Sequence, residues 1–211
     1  MEMINWFNTE RDPTFSLPVM RVLNGHRAID LTEPDATGLW SRKVIPQPRV
    51  QPDPRNRMPY GAGDPHFTIA AVSAPGAASG IVFQASRVDA SHVSELGFAG
   101  GRPTVRLLDA SGRTTTLTAA SAVAANAPVV LSLVSAPGAQ QLRVNSQAAA
   151  SASASLAATP LDQMLIGWGF HDHYPRPGFR GHVYSVVSGR GAPSAAELAV
   201  LERYLGSTAG M

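Results

Sequence analysis

The sequence predicts an all-β fold, a two-sheet antiparallel sandwich finished by one short C-terminal helix, and three observations predict it. From residue 66 onward, apolar and polar residues alternate in short runs. Turns rich in Pro, Gly and Ser cut those runs at short intervals. Convincing helix signals gather only at the end of the chain. Alternation of period two sends apolar side chains to one face of a strand, and many short strands with frequent turns mark a sandwich.

Residues 1–19 carry Trp6, Phe7, Phe15 and Leu17 without a period. Residues 20–32 hold a first strand pattern, with Val22 and Leu23 before a turn at Asn24-Gly25 and Ile29 and Leu31 after it. Residues 44–65 differ in kind. Pro46, Pro48, Pro52, Pro54, Pro59 and Pro65 alternate with Gln47, Arg49, Gln51, Asp53, Arg55 and Arg57. Each proline fixes φ and removes a donor, so the segment is extended and unfit for a central strand. It reads as an arm or strap lying over a surface. It either covers a sheet of its own domain or reaches a neighbouring subunit through Arg49, Arg55 and Arg57. The expected organisation is therefore an N-terminal extension over residues 1–63, with its first strand and strap, and a sandwich over residues 64–211.

Within the sandwich, Phe67, Ile69 and Ala71 make one alternating set, and Ile81, Phe83 and Ala85 make another after the turn Ala74-Pro75-Gly76. Leu96 and Phe98 lead to Gly100-Gly101, and Val105 and Leu107 lead to a turn opened by Asp109, with Leu117 beyond. Asp109 suits a turn former, since its carboxylate can accept from nearby backbone N–H groups. Val129, Leu131 and Leu133 precede Ala136-Pro137-Gly138, and Leu142 and Val144 follow. The Ala/Ser run at 147–158 has no amphipathic face to bury, which makes it a thin edge strand or a loop. Met164, Leu165 and Ile166, then Phe179, Val183, Val186 and Val187, supply two more strands. Ser194 and Glu197 form a capping box that opens a helix over 195–205, with Leu198, Leu201 and Leu205 on one face and Gly206 as the stop.

Composition narrows the function. The 211 residues are 44% hydrophobic and only 15% charged, so solubility leans on uncharged polar residues. The net charge is +2, Lys43 is the only lysine, and no run of about five basic residues marks a nucleic-acid footprint. With no cysteine, disulfides, thiolate catalysis and Cys-based zinc sites are excluded. Residues 1–11 do not read as a signal peptide, and no apolar stretch approaches the ~18 residues needed to span a membrane. The expectation is cytoplasmic synthesis followed by placement on a virion or cell surface, with release inside a phage particle as one route.

The C-terminal third resembles the end of a laminin-G-like domain of the concanavalin A-like lectin and glucanase jelly rolls. The resemblance rests on Met164-Leu165-Ile166-Gly167, Phe179-Arg180-Gly181-His182-Val183, Ser194 to Glu197, and Tyr204-Leu205. Upstream, Leu142-Arg143-Val144-Asn145 resembles a strand ending in an Asn-Gly turn, with Ser146 in place of the glycine, and His66-Phe67-Thr68-Ile69 resembles an early Phe-Thr strand. The resemblance spans roughly residues 64–207, with a candidate first strand at 20–32, and implies two antiparallel sheets packed face to face. It implies no single function, because such sandwiches host lectins, adhesion modules, glycosidases and virion parts.

The densest functional candidate is the segment from Trp168 to Tyr174. His171, Asp172 and His173 offer polar contacts, while Trp168 and Tyr174 offer flat faces for a sugar or a partner. No cofactor is implied. A Ca²⁺ site built on Asp64, Asp89 or Asp172 has no loop motif behind it. Glycosidases on such sandwiches use paired carboxylates, whereas Glu33, Glu95, Glu197 and Glu202 are isolated in sequence. The leading expectation is a non-catalytic binding or attachment module on a phage virion or cell surface. Its partner would be a surface glycan or a neighbouring protein subunit in an oligomeric assembly. A capsid-decorating or tail-associated structural subunit is the alternative, and a glycosidase-like enzyme comes third.

Overall fold

A computed structural model of the chain describes residues 19–33, 38–40, 60–87, 91–171, 174–176 and 178–211. Strands β1 (Val19–Leu23) and β2 (His26–Asp30) precede the short β3 (Leu39–Trp40). Next come β4 (His66–Ser73), β5 (Gly80–Ser86), β6 (Val93–Ala99), β7 (Arg102–Leu108), β8 (Thr114–Thr118), β9 (Pro128–Ala136), β10 (Ala139–Val144) and β11 (Gln147–Ala152). The last strands are β12 (Gln163–Ile166), β13 (Gly169–His171), β14 (Tyr174–Arg176) and β15 (His182–Arg190), and α1 (Ala195–Thr208) follows them.

Two antiparallel sheets form the body. One has seven strands in the order β1-β2-β15-β4-β9-β10-β11, and the other has six in the order β3-β12-β5-β6-β7-β8. The pair β13-β14 is a separate hairpin. Between the sheets lie Phe83, Leu96, Leu107, Leu131, Leu133, Leu142 and Phe179, all fully buried. The rings of Phe98 and Phe179 stack across this core with centroids 5.6 Å apart. Burial of such side chains is worth roughly 1.5–3 kcal/mol each.

The outer face of the seven-stranded sheet is also covered. Ile69, Ala71 and Val130 meet Leu198, Leu205 and Ala209 of the C-terminal segment. β4 is thus buried on both faces, which explains why its sequence loses strict alternation at Ile69-Ala70-Ala71-Val72. The capping box forms as the sequence predicts. The Glu197 backbone N–H donates to Ser194 Oγ at 3.3 Å, and the Ser194 N–H donates to Glu197 Oε2 at 2.9 Å. Of the expected leucine stripe, Leu198 and Leu205 are buried, whereas Leu201 is half-buried at the edge of the helix contact.

The boundary expected between residues 63 and 64 is crossed by strand pairing, because β2 pairs with β15 and β3 pairs with β12. The hairpin β1-β2 turns at Asn24 (φ 51°) and Gly25 (φ 82°), and it supplies the edge of the seven-stranded sheet. Open main-chain groups on β15 find their partners there, so the hairpin belongs to the sandwich rather than to an extension. Most of the strap, residues 44–59, lies outside the described residues, as do Arg49, Arg55 and Arg57. Its last residues pack on their own domain. Tyr60 is 2% exposed and stacks on His66 at 4.5 Å, and Gly61 bridges to Pro160. The Ala/Ser run becomes the edge strand β11 and then irregular chain.

Candidate functional site

Among the described residues, no helix packs on the outward face of the six-stranded sheet. Side chains alternate along β7, with Pro103, Val105 and Leu107 turned to the core and Arg102, Thr104 and Arg106 turned outward. The same alternation on β8 turns Thr114, Thr116 and Thr118 outward. Antiparallel register then aligns Gln84 of β5 with Glu95 of β6, Glu95 with Arg106 of β7, and Arg106 with Thr116 of β8. Directly opposed residues on one face have Cβ atoms about 4.5–5.5 Å apart, so these four side chains form one row across the sheet.

The row runs from buried to exposed. Gln84 is fully buried, Glu95 and Arg106 are half-buried, and Thr116 is exposed. Around Gln84 the outward face is closed, with Ser86, Gln163 and Leu165 each at most 1% exposed. The Gln84 amide donates from Nε2 to Glu95 Oε2 at 3.1 Å. A buried amide thereby fixes the orientation of a carboxylate at the margin of the open region.

The hairpin β13-β14 stands on this margin. A Cβ on Gly169 would lie 2.6 Å from Ile81 Cδ1 and 2.9 Å from Gln84 Oε1, so the hairpin backbone rests directly on the side chains of β5. At its base, Gly167 donates to the Val82 carbonyl at 2.8 Å, and the Phe179 N–H donates to the Gly167 carbonyl at 2.8 Å. Gly167 has φ 82°, the left-handed region that favours glycine. The hairpin makes a wall, and the outward face over β6–β8 makes a floor beside it.

The segment that the sequence singles out is therefore this hairpin. Trp168 is 8% exposed, and a Cβ on Gly38 would fall 2.4 Å from its Cδ1. Its ring packs over Gly38 at the hairpin base and presents little surface to solvent. His171 and Tyr174 face each other in the pairing of β13 with β14. Asp172 and His173, between them, lie outside the described residues, as does Asp89. Asp64 is engaged in a local turn, where its Oδ2 accepts from the Gly61 N–H at 2.8 Å. Among the described residues, no group of three or more His, Cys, Asp or Glu could hold a metal ion.

Other polar clusters hold the fold together. Asp109 closes the β7–β8 turn. Its Oδ1 accepts from the backbone N–H of Ser111 and Arg113 and from the Ser111 hydroxyl, and its Oδ2 accepts from the Ala157 N–H. Burial pushes its carboxyl up, but these donors outweigh burial and hold it below the ordinary value. Ser94 Oγ lies 2.8 Å from His66 Nε2, and His66 Nδ1 lies 2.8 Å from the Asp64 carbonyl. That geometry resembles a nucleophile and its base, yet Ser94 and His66 are both fully buried, out of reach of any substrate.

No family model and no curated protein matches the chain. Solved structures do. The binding domain of botulinum neurotoxin serotype G superposes with TM-score 0.61 at 8% identity, covering 88% of this chain and 44% of that one. Domains LG4-5 of the mouse laminin α1 chain superpose with TM-score 0.57 at 12% identity, covering 82% and 44%. The fold is a concanavalin A-like, laminin-G-like jelly roll. A third jelly roll, the CBM40 of the Ruminococcus gnavus IT-sialidase, was solved bound to α2,3-sialyllactose. It superposes with TM-score 0.55 at 15% identity, covering 66% of this chain and 83% of that one. These likenesses establish the jelly roll, while the chemistry of the site lies in its own residues.

Sequence reading missed the row on the open face. Glu95 is isolated along the chain, and an outward Arg-x-Thr-x-Arg on one strand looks like any solvated face. Only the register of three strand pairs brings the four side chains together.

Proposed function

We propose that this jelly roll is a non-catalytic glycan-binding module carried on a phage virion or cell surface, with its ligand on the open face over β6–β8. The observation that carries the reading is the row Gln84–Glu95–Arg106–Thr116, aligned by strand register beside the hairpin wall. A carboxylate, a guanidinium and hydroxyls side by side supply both acceptors and donors, the mixture that a ring of hydroxyl groups requires. Similarity to a module bound to sialyllactose supports the same reading. The row offers one carboxylate, Glu95, where glycoside hydrolysis uses two. In this reading Tyr174 is the flat contact and His171, Asp172 and His173 are polar ones, as the sequence suggests, while Trp168 packs at the hairpin base.

A glycan array, run with and without calcium, tests the reading. Bound glycans should be lost from the Glu95→Ala and Tyr174→Ala variants while the melting temperature changes little. Binding that survives both substitutions, or an array with no bound glycan, overturns it. The structural-subunit reading has one observation in its favour. The edge strand β1 leaves Val19, Met20 and Val22 exposed by 54%, 60% and 67%, an apolar edge suited to lattice contacts.

A further inference from the structure

The open face is not electrically uniform along β7. At one end Arg106 stands directly opposite Glu95 in the strand register, so an acidic residue is its neighbour across the pair. At the other end Arg102 stands opposite Ala99. Arg102 is exposed, and it forms no hydrogen bond or ion pair among the described residues. Its Cα lies about 13 Å from that of Arg106, at ~3.3 Å per residue along the strand. Thr104 lies between the two arginines on the same face, with Thr118 opposite it in register on β8.

We infer that the ligand is an acidic glycan, laid along β7 with its carboxylate at Arg102 and its neutral hydroxyls toward Glu95 and Arg106. This rests on the glycan reading of the face and adds the class and direction of the sugar. A guanidinium matches a carboxylate through two parallel N–H···O bonds, which a neutral sugar cannot return. Glu95, fixed by Gln84, repels a second negative group, so the acid is turned away from that end while sugar hydroxyls donate to the carboxylate. Thr104 and Thr118 bridge the two ends with hydroxyls that donate or accept.

The experiment measures binding of the full chain to matched pairs, each acidic glycan beside its neutral parent, with α2,3-sialyllactose and lactose as one pair. Acidic members should bind more tightly, and added salt should weaken them selectively. Arg102→Ala should weaken the acidic members by about tenfold to a hundredfold, the worth of hydrogen bonds to a charged group. Arg102→Lys should recover part of that loss. Arg203→Ala, which removes an exposed charge on α1, should change nothing. Equal binding of acidic and neutral members, or an Arg102→Ala variant with unchanged selectivity, overturns this inference and leaves the glycan reading standing. Failure of every member to bind removes both.

Discussion

Arg143 of β10 clasps Glu202 of α1 with a two-pronged ion pair. Arg143 Nε donates to Oε1 at 2.9 Å, and Nη2 donates to Oε2 at 3.2 Å. Ser132 of β9 adds a third donor to Oε1 at 2.7 Å. The carboxylate is fully buried beneath the helix, so the clasp pins α1 to two strands of the seven-stranded sheet. Burial pushes the Glu202 carboxyl up, but the bonds from Arg143, Ser132 and Ser146 prevail and hold it below its ordinary value of 4.5.

Removing one partner should therefore be costly. Arg143→Met leaves a buried carboxylate without its counter-charge and should destabilise the fold by about 3–5 kcal/mol in urea unfolding. Changing both residues, Arg143→Met with Glu202→Leu, should recover most of that loss. A double variant as unstable as the single one would show that the clasp is not what Arg143 contributes.

His66 should make the fold sensitive to mild acid. Burial is the largest influence and lowers its pKa from the ordinary 6.5, against the opposing pull of the Asp64 carbonyl and carboxylate. A folded pKa below the unfolded one means that the unfolded chain takes up the proton first. The contribution is complete above about pH 6.5 and is lost as pH falls from there through the folded value. Unfolding free energy should begin to decline as pH falls below about 6.5, well above the onset near pH 4.5 of the losses from Glu202 and Asp109. His66→Gln should flatten the upper decline alone. An unchanged slope in that variant would assign the sensitivity elsewhere.

The turn between β10 and β11 carries a correctable strain. Asn145 has φ 48° and Ser146 has φ 66°, the backbone of a two-residue hairpin turn whose second position favours glycine. A serine held there costs about 1–2 kcal/mol, part of which glycine returns as freedom of the unfolded chain. The Ser146 hydroxyl also supports the buried Glu202 carboxylate, so Ser146→Gly should raise the melting temperature by less than the roughly 2–4 °C that about 1 kcal/mol of relieved strain alone would give. A lower melting temperature would show that contacts of the Ser146 side chain outweigh its backbone strain.

The two turns show how far local reading reaches. Asn24-Gly25 is visible along the chain because its positive φ values depend on two adjacent residues. The partner of the resulting hairpin is not visible, since β2 pairs with β15 more than a hundred residues later. The segment 168–174 stands out by its concentration of aromatics and histidines, and the strands Gly169–His171 and Tyr174–Arg176 pair at the margin of the open face. That Trp168 would be buried at its base was illegible, because the glycine that receives its ring, Gly38, comes from a distant strand connection.

By itself the sequence determined what adjacent residues can settle. The capping box of Ser194 and Glu197, the Asp109 turn and the period-two alternation all act within a few positions, where backbone sterics and local hydrogen bonds choose the conformation. Alternation even decided which residues of β7 face together. The tertiary structure alone decided what they face. Antiparallel register brings Glu95 beside Gln84 and Arg106, leaves Arg102 beside Ala99, and buries Glu202 against Arg143. Each of these depends on strand and helix partners chosen by burial of the whole core. A slip of one residue in register would send the row on the open face into that core, so the site exists only once the sheets have packed.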